Sequence, residues 1–120
     1  MLFRSGIEIS DDLTIPKLFL EKARTYGKSK AAMREKEFGV WRPITWHDYL
    51  ENVKYLSLGL VSLGLKEGDK VAMIGDNRPQ GLWAEMAALC ARGIGIWLFQ
   101  DCLIEEVKYI IDNSDRKSVV

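Results

Sequence analysis

The sequence predicts an α/β protein: a partial parallel sheet with crossover helices, preceded by a helix and a hairpin. Three observations point there. KVAMIG (Lys70–Gly75) and IGIWLF (Ile94–Phe99) are apolar runs of strand length. The stretch between them has helical spacing, and a helical crossover is what two parallel strands require. A further strand-like run opens at 117–120, behind another helical segment.

Taken in order, residues 1–13 read as a lead-in segment and 14–120 as one domain. Thr14-Ile15-Pro16 is a helix start, with a hydroxyl that can cap and a proline whose missing N–H costs nothing in the first turn. Ile15, Leu18, Phe19, Ala23 and Tyr26 form one apolar face, and Gly27 follows where a left-handed residue is wanted. Residues 31–36 and 40–44 pair as a hairpin around Phe38-Gly39. Pro43 cannot donate to a ladder, so the second arm belongs at an edge. Thr45-Trp46-His47-Asp48 opens the next helix as a capping box with Asp in the usual place of Glu. Tyr49, Val53, Leu56, Leu60 and Leu63 are its buried stripe, and Gly64 closes it. His47 has no second ligand on its helix face and reads as a surface or capping residue.

Lys66-Glu67-Gly68-Asp69 is a turn leading into the first parallel strand. Beyond that strand lies the polar loop Asp76-Asn77-Arg78-Pro79, with Asn77 the expected N-cap of the crossover helix. Leu82, Trp83, Met86, Ala87 and Cys90 lie on the inner side of that helix, which Gly93 ends. IGIWLF is apolar at every position, as suits a central strand covered on both faces. The last helix runs over 105–113.

With 120 residues, the chain has room for one small domain. Seventeen Lys and Arg against seventeen Asp and Glu give zero net charge. That balance excludes a nucleic-acid binder held by a broad basic face, and a polybasic membrane anchor. Residues 1–10 lack the apolar run and cleavage site of a signal peptide. No run approaches the roughly 20 apolar residues of a membrane span, so a cytoplasmic, soluble protein is expected. Cys90, Cys102 and the single histidine cannot assemble a structural zinc site. The two cysteines read as reduced thiols, with a disulfide between them as the alternative.

Catalytic patterns are scarce. Gly93-Ile94-Gly95 leads into a strand, whereas a dinucleotide fingerprint follows a strand and opens a helix. No G-x-x-x-x-G-K-S/T run occurs, which excludes a P-loop, and no serine sits in a nucleophile elbow. Glu105-Glu106 opens a helix, where carboxylates complement the dipole. The best-placed polar residues are Asp76, Asn77 and Arg78 after the first parallel strand, and Gln100 and Asp101 after the second. Ligands of open parallel sheets sit beyond the carboxyl ends of the strands. The two loops are therefore expected to form one wall of a cleft, with helix capping as the alternative role of the same residues. No catalytic residue and no metal ligand is assigned.

Four blocks then carry a family resemblance: ITW at 44–46, G-L-x-x-L-G-L-x-x-G-D-K-V at 59–71, GDNRP at 75–79 and EEVKYIIDNSD at 105–115. From Thr14 onward the chain resembles the N-terminal region of AMP-forming long-chain acyl-CoA synthetases, members of the adenylate-forming ligase superfamily. The resemblance implies an N-terminal fragment of the large domain of such a ligase. It also implies an enzyme that uses ATP and magnesium (Mg2+) to make a fatty acyl-adenylate and then passes the acyl group to coenzyme A. The family's phosphate loop, ribose-binding acid and C-terminal lysine match nothing in this chain. No catalytic residue is carried over, the chain alone is expected to bind no cofactor and to be inactive, and the implied partner is the remainder of the ligase, in the same or a separate chain. The rival expectation is a stand-alone binding module that self-associates through an exposed sheet edge.

The matched region departs from the family pattern between Gln80 and Ile104. Cys102 and Ile104 replace a hydroxyl residue and a proline before Glu-Glu, a lost cap that costs about 0.5–2 kcal/mol. Arg92 and Trp97 stand where small residues are expected, and Gln80-Gly81 where Glu and an aromatic are common. Such changes fit either a degenerating copy or a divergent subfamily.

Overall fold

In the computed structural model, which describes residues 10–114 and 118–119, helix α1 (Ile15–Tyr26) starts at the predicted cap. Thr14 Oγ1 accepts the Lys17 N–H at 3.4 Å, and Pro16 stands in the first turn. Gly27 takes φ 46° and donates its N–H to the Ala23 carbonyl at 2.9 Å. Phe19 and Ala23 are buried, but Ile15 is exposed, because at the first helical residue it lies ahead of the turns that pack.

Strands β1 (Ala31–Glu37) and β2 (Val40–Thr45) form the predicted antiparallel hairpin, a two-stranded sheet of its own. Phe38 and Gly39 have φ 49° and 79°, the pair of left-handed residues that a tight hairpin turn with the strands' own twist requires. Pro43 stands opposite Arg34 in a ribbon whose strands are both edges, so its missing N–H breaks no further ladder.

Helix α2 (Trp46–Ser62) opens with the full capping box. Thr45 Oγ1 accepts the Asp48 N–H at 3.1 Å, and the Asp48 carboxylate accepts the Thr45 N–H at 3.1 Å. Tyr49, Val53 and Leu60 are buried as the stripe predicts, whereas Leu63 is exposed because the helix ends before it. Along the α1–α2 seam, Phe19 meets Tyr49 edge-on with centroids 4.6 Å apart, and Trp46 stands 6.4 Å from Phe19.

The loop after α2 aligns the main sheet. Asp69 accepts the Lys66 N–H at 2.9 Å through its carboxylate and the Ile94 N–H at 2.8 Å through its carbonyl. Strands β3 (Lys70–Gly75) and β4 (Ile94–Phe99) therefore run parallel with Lys70 opposite Ile94 and Gly75 opposite Phe99. β5 (Ser118–Val119) pairs with the other side of β3, giving the order β4-β3-β5. Residues 117 and 120 of the expected last strand lie outside the described residues.

β3, not β4, is thus the central strand. Val71, Ala72 and Met73 are 0%, 2% and 3% exposed, while Ile94, Trp97 and Phe99 of β4 retain 47%, 41% and 83%. The expectation that the IGIWLF strand is central and covered on both faces fails on both counts, since only Leu98 of β4 is buried. An apolar run says neither which strands lie beside it nor what covers it. The outer edge of β4 has no strand partner among the described residues.

Helix α3 (Pro79–Cys90) covers one face of the sheet and α4 (Ile104–Asn113) the other. Val71 packs with Ala87, Ala88 and the α1–α2 residues, whereas Ala72 and Leu98 pack against Ile111. Burying an aliphatic side chain such as Val71 contributes about 1.5–3 kcal/mol. α3 begins one residue later than expected, with Arg78 rather than Asn77 as N-cap and no side-chain cap. Pro79 causes this: it pushes the preceding residue into extended backbone, φ −121° and ψ 161° at Arg78, and itself suits the first helical position. The buried side of α3 is Pro79, Ala84, Ala87 and Ala88; Leu82 is exposed, and Trp83, Met86 and Cys90 flank the contact half-buried. At the start of α4 no hydroxyl caps, but the Glu106 carboxylate accepts the Leu103 N–H at 2.9 Å and supplies half of a capping box.

A candidate cleft at the carboxyl ends of the parallel strands

The register that sets Gly75 opposite Phe99 makes the next residues of the two strands leave the sheet side by side. Asp76, Asn77, Gln100 and Asp101 consequently border one cleft of about 520 Å³. Arg78 does not join them: it turns toward Asp76, Nε to Oδ2 3.8 Å, and borders a neighbouring cavity of about 300 Å³. Its N–H also donates to the Asp76 carbonyl at 2.8 Å, a bond that folds the loop back before Pro79. All five side chains are exposed.

The lining also includes Gly75, Leu82, Glu85, Trp97, Leu98 and Phe99, none of which the sequence reading assigned to the cleft. Four of these carry a periodic signal. Leu82 and Glu85 are three apart on α3 and share a helix face; Trp97 and Phe99 are two apart on β4 and share a strand face. Trp97 lies across α3 at Gly81, where a Cβ would stand 2.5 Å from its Cη2.

The charged groups of the cleft are Asp76, Glu85 and Asp101, all carboxylates, with no lysine, arginine or histidine in the lining. A triphosphate would meet repulsion there and find neither a glycine-rich cradle nor a basic side chain, so the cleft does not fit ATP. No step through a nucleotide or Mg2+ is derived from it. Among the described residues, no group of three or more His, Cys, Asp or Glu is placed to hold a metal ion.

The perturbed titrations lie elsewhere. Burial, with smaller effects from Glu85 and Cys90, pushes the Tyr49 phenol up to about 12, and burial raises the Cys90 thiol. The Thr45 hydroxyl and N–H hold the Asp48 carboxyl below its ordinary value. These shifts belong to the helical core and the α2 cap. Both cysteines are free and half-buried.

The model of the family described as "AMP-binding enzyme" matches residues 19–120. A long-chain-fatty-acid–CoA ligase of Xenopus laevis, ACSBG2, is 25% identical over 108 residues, 90% of this chain and 14% of its own. A 4-hydroxybutyrate–CoA ligase of Metallosphaera sedula is 32% identical over 107 residues, 88% of this chain and 18% of its own. The chain thus spans less than a fifth of each of these curated relatives. In fold it is similar to the N-terminal subdomain of Klebsiella oxytoca NpsA, solved in complex with 3-hydroxyanthranilyl-AMSN. That match has a TM-score of 0.79 at 17% identity and covers 88% of this chain and 26% of that one. With the family's match running through the α1–α3 core, the parallel sheet and the cleft at its carboxyl end, the chain belongs to the AMP-binding enzymes, with the fold of an N-terminal part of an adenylate-forming ligase.

Proposed function

We propose that this chain is the N-terminal portion of an AMP-forming long-chain fatty acid–CoA ligase, and that alone it supplies scaffold, not chemistry. The observation that carries this is the composition of the cleft: a ligand position typical of parallel sheets, lined by carboxylates, the amides of Asn77 and Gln100, and apolar groups, with no nucleophile or phosphate cradle. The family match over residues 19–120, at 14% and 18% of the curated relatives' lengths, supports a part of a larger enzyme.

In the whole ligase, ATP and Mg2+ would turn a fatty carboxylate into an acyl-adenylate with a good leaving group, and coenzyme A would accept the acyl group. The residues of this chain would hold the sheet to which the catalytic parts attach. Its partner is the remainder of the ligase, in the same or a separate chain, and its compartment the cytoplasm. No helix among the described residues is long and apolar enough to cross a membrane.

Pyrophosphate exchange with ATP, magnesium and a panel of fatty acids tests this. The chain alone is expected to give background exchange, and substantial exchange overturns the scaffold role. The intact mass of the native product in cell extract, probed with an antibody to this segment, is expected to be several times that of the 120-residue chain.

A self-associating module derived from the same fold is the second reading, favoured by one observation. The outer edge of β4 carries Ile94, Trp97 and Phe99 without a lysine, proline or bulge to discourage another strand. Sedimentation showing a concentration-independent monomer excludes it.

A further inference from the structure

The β1–β2 hairpin concentrates charge and apolar surface that the fold does not use. From Lys28 to Thr45 stand five cations, Lys28, Lys30, Arg34, Lys36 and Arg42, against two carboxylates, Glu35 and Glu37, in a chain whose net charge is zero. All five cations are exposed. At the turn Phe38 is 94% exposed, with Val40 and Trp41 exposed behind it at 63% and 61%. The hairpin is a sheet of its own, separate from the parallel sheet and its cleft.

Its register sorts these residues onto two faces. Glu37 stands opposite Val40, Glu35 opposite Arg42 and Met33 opposite Ile44; Met33 packs on the core, so this face turns inward. Glu37 is neutralised there by Arg42 at 2.7 Å. The other face sets Lys36 beside Trp41 and Arg34 beside Pro43, all exposed, with two cations and no carboxylate. The Lys36 ammonium lies 5.8 Å from the centre of the Trp41 ring.

Phe38 offends two local rules at once. It takes φ 49°, where Asn or Gly fits and a bulky side chain is strained, and it gains no burial in exchange. Such an outlier at an exposed tip points to a role outside the fold. The tip is convex: a Cβ at the neighbouring Gly39 would meet nothing within 4 Å. A partner must therefore yield around the ring, as the headgroup region of a bilayer does. The cationic face behind it calls for anionic headgroups, and an exposed tryptophan suits the boundary between water and acyl chains.

We propose that the β1–β2 hairpin is a membrane-surface contact: Phe38 enters the interface of an anionic bilayer, Trp41 lies at headgroup level, and Arg34 and Lys36 meet the lipid phosphates. This contact goes beyond the ligase reading and does not depend on it.

The test is co-sedimentation of the chain with vesicles of phosphatidylcholine containing about one-quarter phosphatidylserine, against phosphatidylcholine alone. Binding to the anionic vesicles is expected to exceed that to the neutral ones about tenfold or more, and to fall as salt rises. Phe38→Asn preserves the turn, since Asn accepts left-handed backbone, and is expected to weaken vesicle binding about tenfold. Arg34→Gln combined with Lys36→Gln is expected to weaken it by about the same factor and to remove most of the salt dependence. Either variant decides alone where the other does not fold by circular dichroism. Leu63→Asn, at another exposed apolar position, is expected to change nothing. No binding, equal binding to neutral vesicles, unweakened binding by Phe38→Asn or by the double variant, or an equal loss in Leu63→Asn overturns the proposal. So does a change of lipid-free sedimentation mass in Phe38→Asn, which would give the tip to a second copy of the chain. None of these outcomes bears on the ligase role, which pyrophosphate exchange reads separately.

Discussion

Trp97 on β4 and Gly81 on α3 fit each other: the indole Cη2 occupies the space that a Cβ at Gly81 would need, 2.5 Å away. Contact between α3 and β4 at this point therefore depends on a glycine in the helix opposite a tryptophan in the strand.

Gly81→Ala therefore has a sign that depends on its neighbour. Overpacking against the indole costs about 1–3 kcal/mol, offset by about 0.5–1 kcal/mol from replacing a helical glycine. A net loss of stability is expected in the native background. With Trp97→Val the clash is gone and the same substitution becomes stabilising. Urea denaturation of the four proteins in the cycle measures this; additive effects would show that the two residues do not touch energetically.

Thr45 and Asp48 hold the start of α2 through reciprocal bonds of 3.1 Å. Thr45→Ala is expected to cost about 0.5–2 kcal/mol, and Thr45→Ser much less. The bonds also make the cap pH-sensitive. Hydrogen bonds from Thr45 hold the folded-state Asp48 carboxyl below its ordinary 3.8, so its contribution is complete above that pH and is lost as the pH falls through the folded value. The acid limb of the stability profile should flatten in Thr45→Ala, as denaturation at a series of pH values would read.

Arg92 closes α3 with φ 64°, a left-handed residue without the freedom of glycine. The Gly93 N–H reaches back to the Ala88 carbonyl at 2.8 Å, which requires that turn. Arg92 also meets Glu67 at 3.3 Å, but both side chains are exposed and the pair is worth little. Relief of strain is about 1–2 kcal/mol, partly cancelled by the greater entropy of glycine in the unfolded chain. Arg92→Gly is therefore expected to raise stability by about 0.5 kcal/mol or more, read as a higher denaturation midpoint.

Tyr49 sets the alkaline limit. Burial pushes its phenol up to about 12, from 10.0, so the folded state keeps a proton that the unfolded chain releases. Its stabilising contribution is full below pH 10.0 and declines as the pH rises toward about 12. Tyr49→Phe keeps the edge contact with Phe19 and should remove that decline. Absorbance titration of the phenols, native against unfolded, checks the shift independently.

Local chemistry made much of this protein legible in its sequence. The caps at Thr14 and Thr45, the Phe38-Gly39 turn, the hairpin and the alternation of strand and helix from Lys70 onward all depend on neighbours within a few residues. The loops of Asp76, Asn77, Gln100 and Asp101 leave the sheet on one side, because parallel strands deliver their carboxyl ends together. Tertiary structure decided the rest. It made β3 the central strand, since an apolar run cannot say which strand lies beside it. It turned Arg78 away from the cleft, because Pro79 forces the residue before it into extended backbone. It also brought Glu85, Trp97 and Phe99 to one cleft and set Trp97 against Gly81, because contact across a helix–sheet interface depends on where two distant backbones meet, and no periodicity within either segment encodes that meeting.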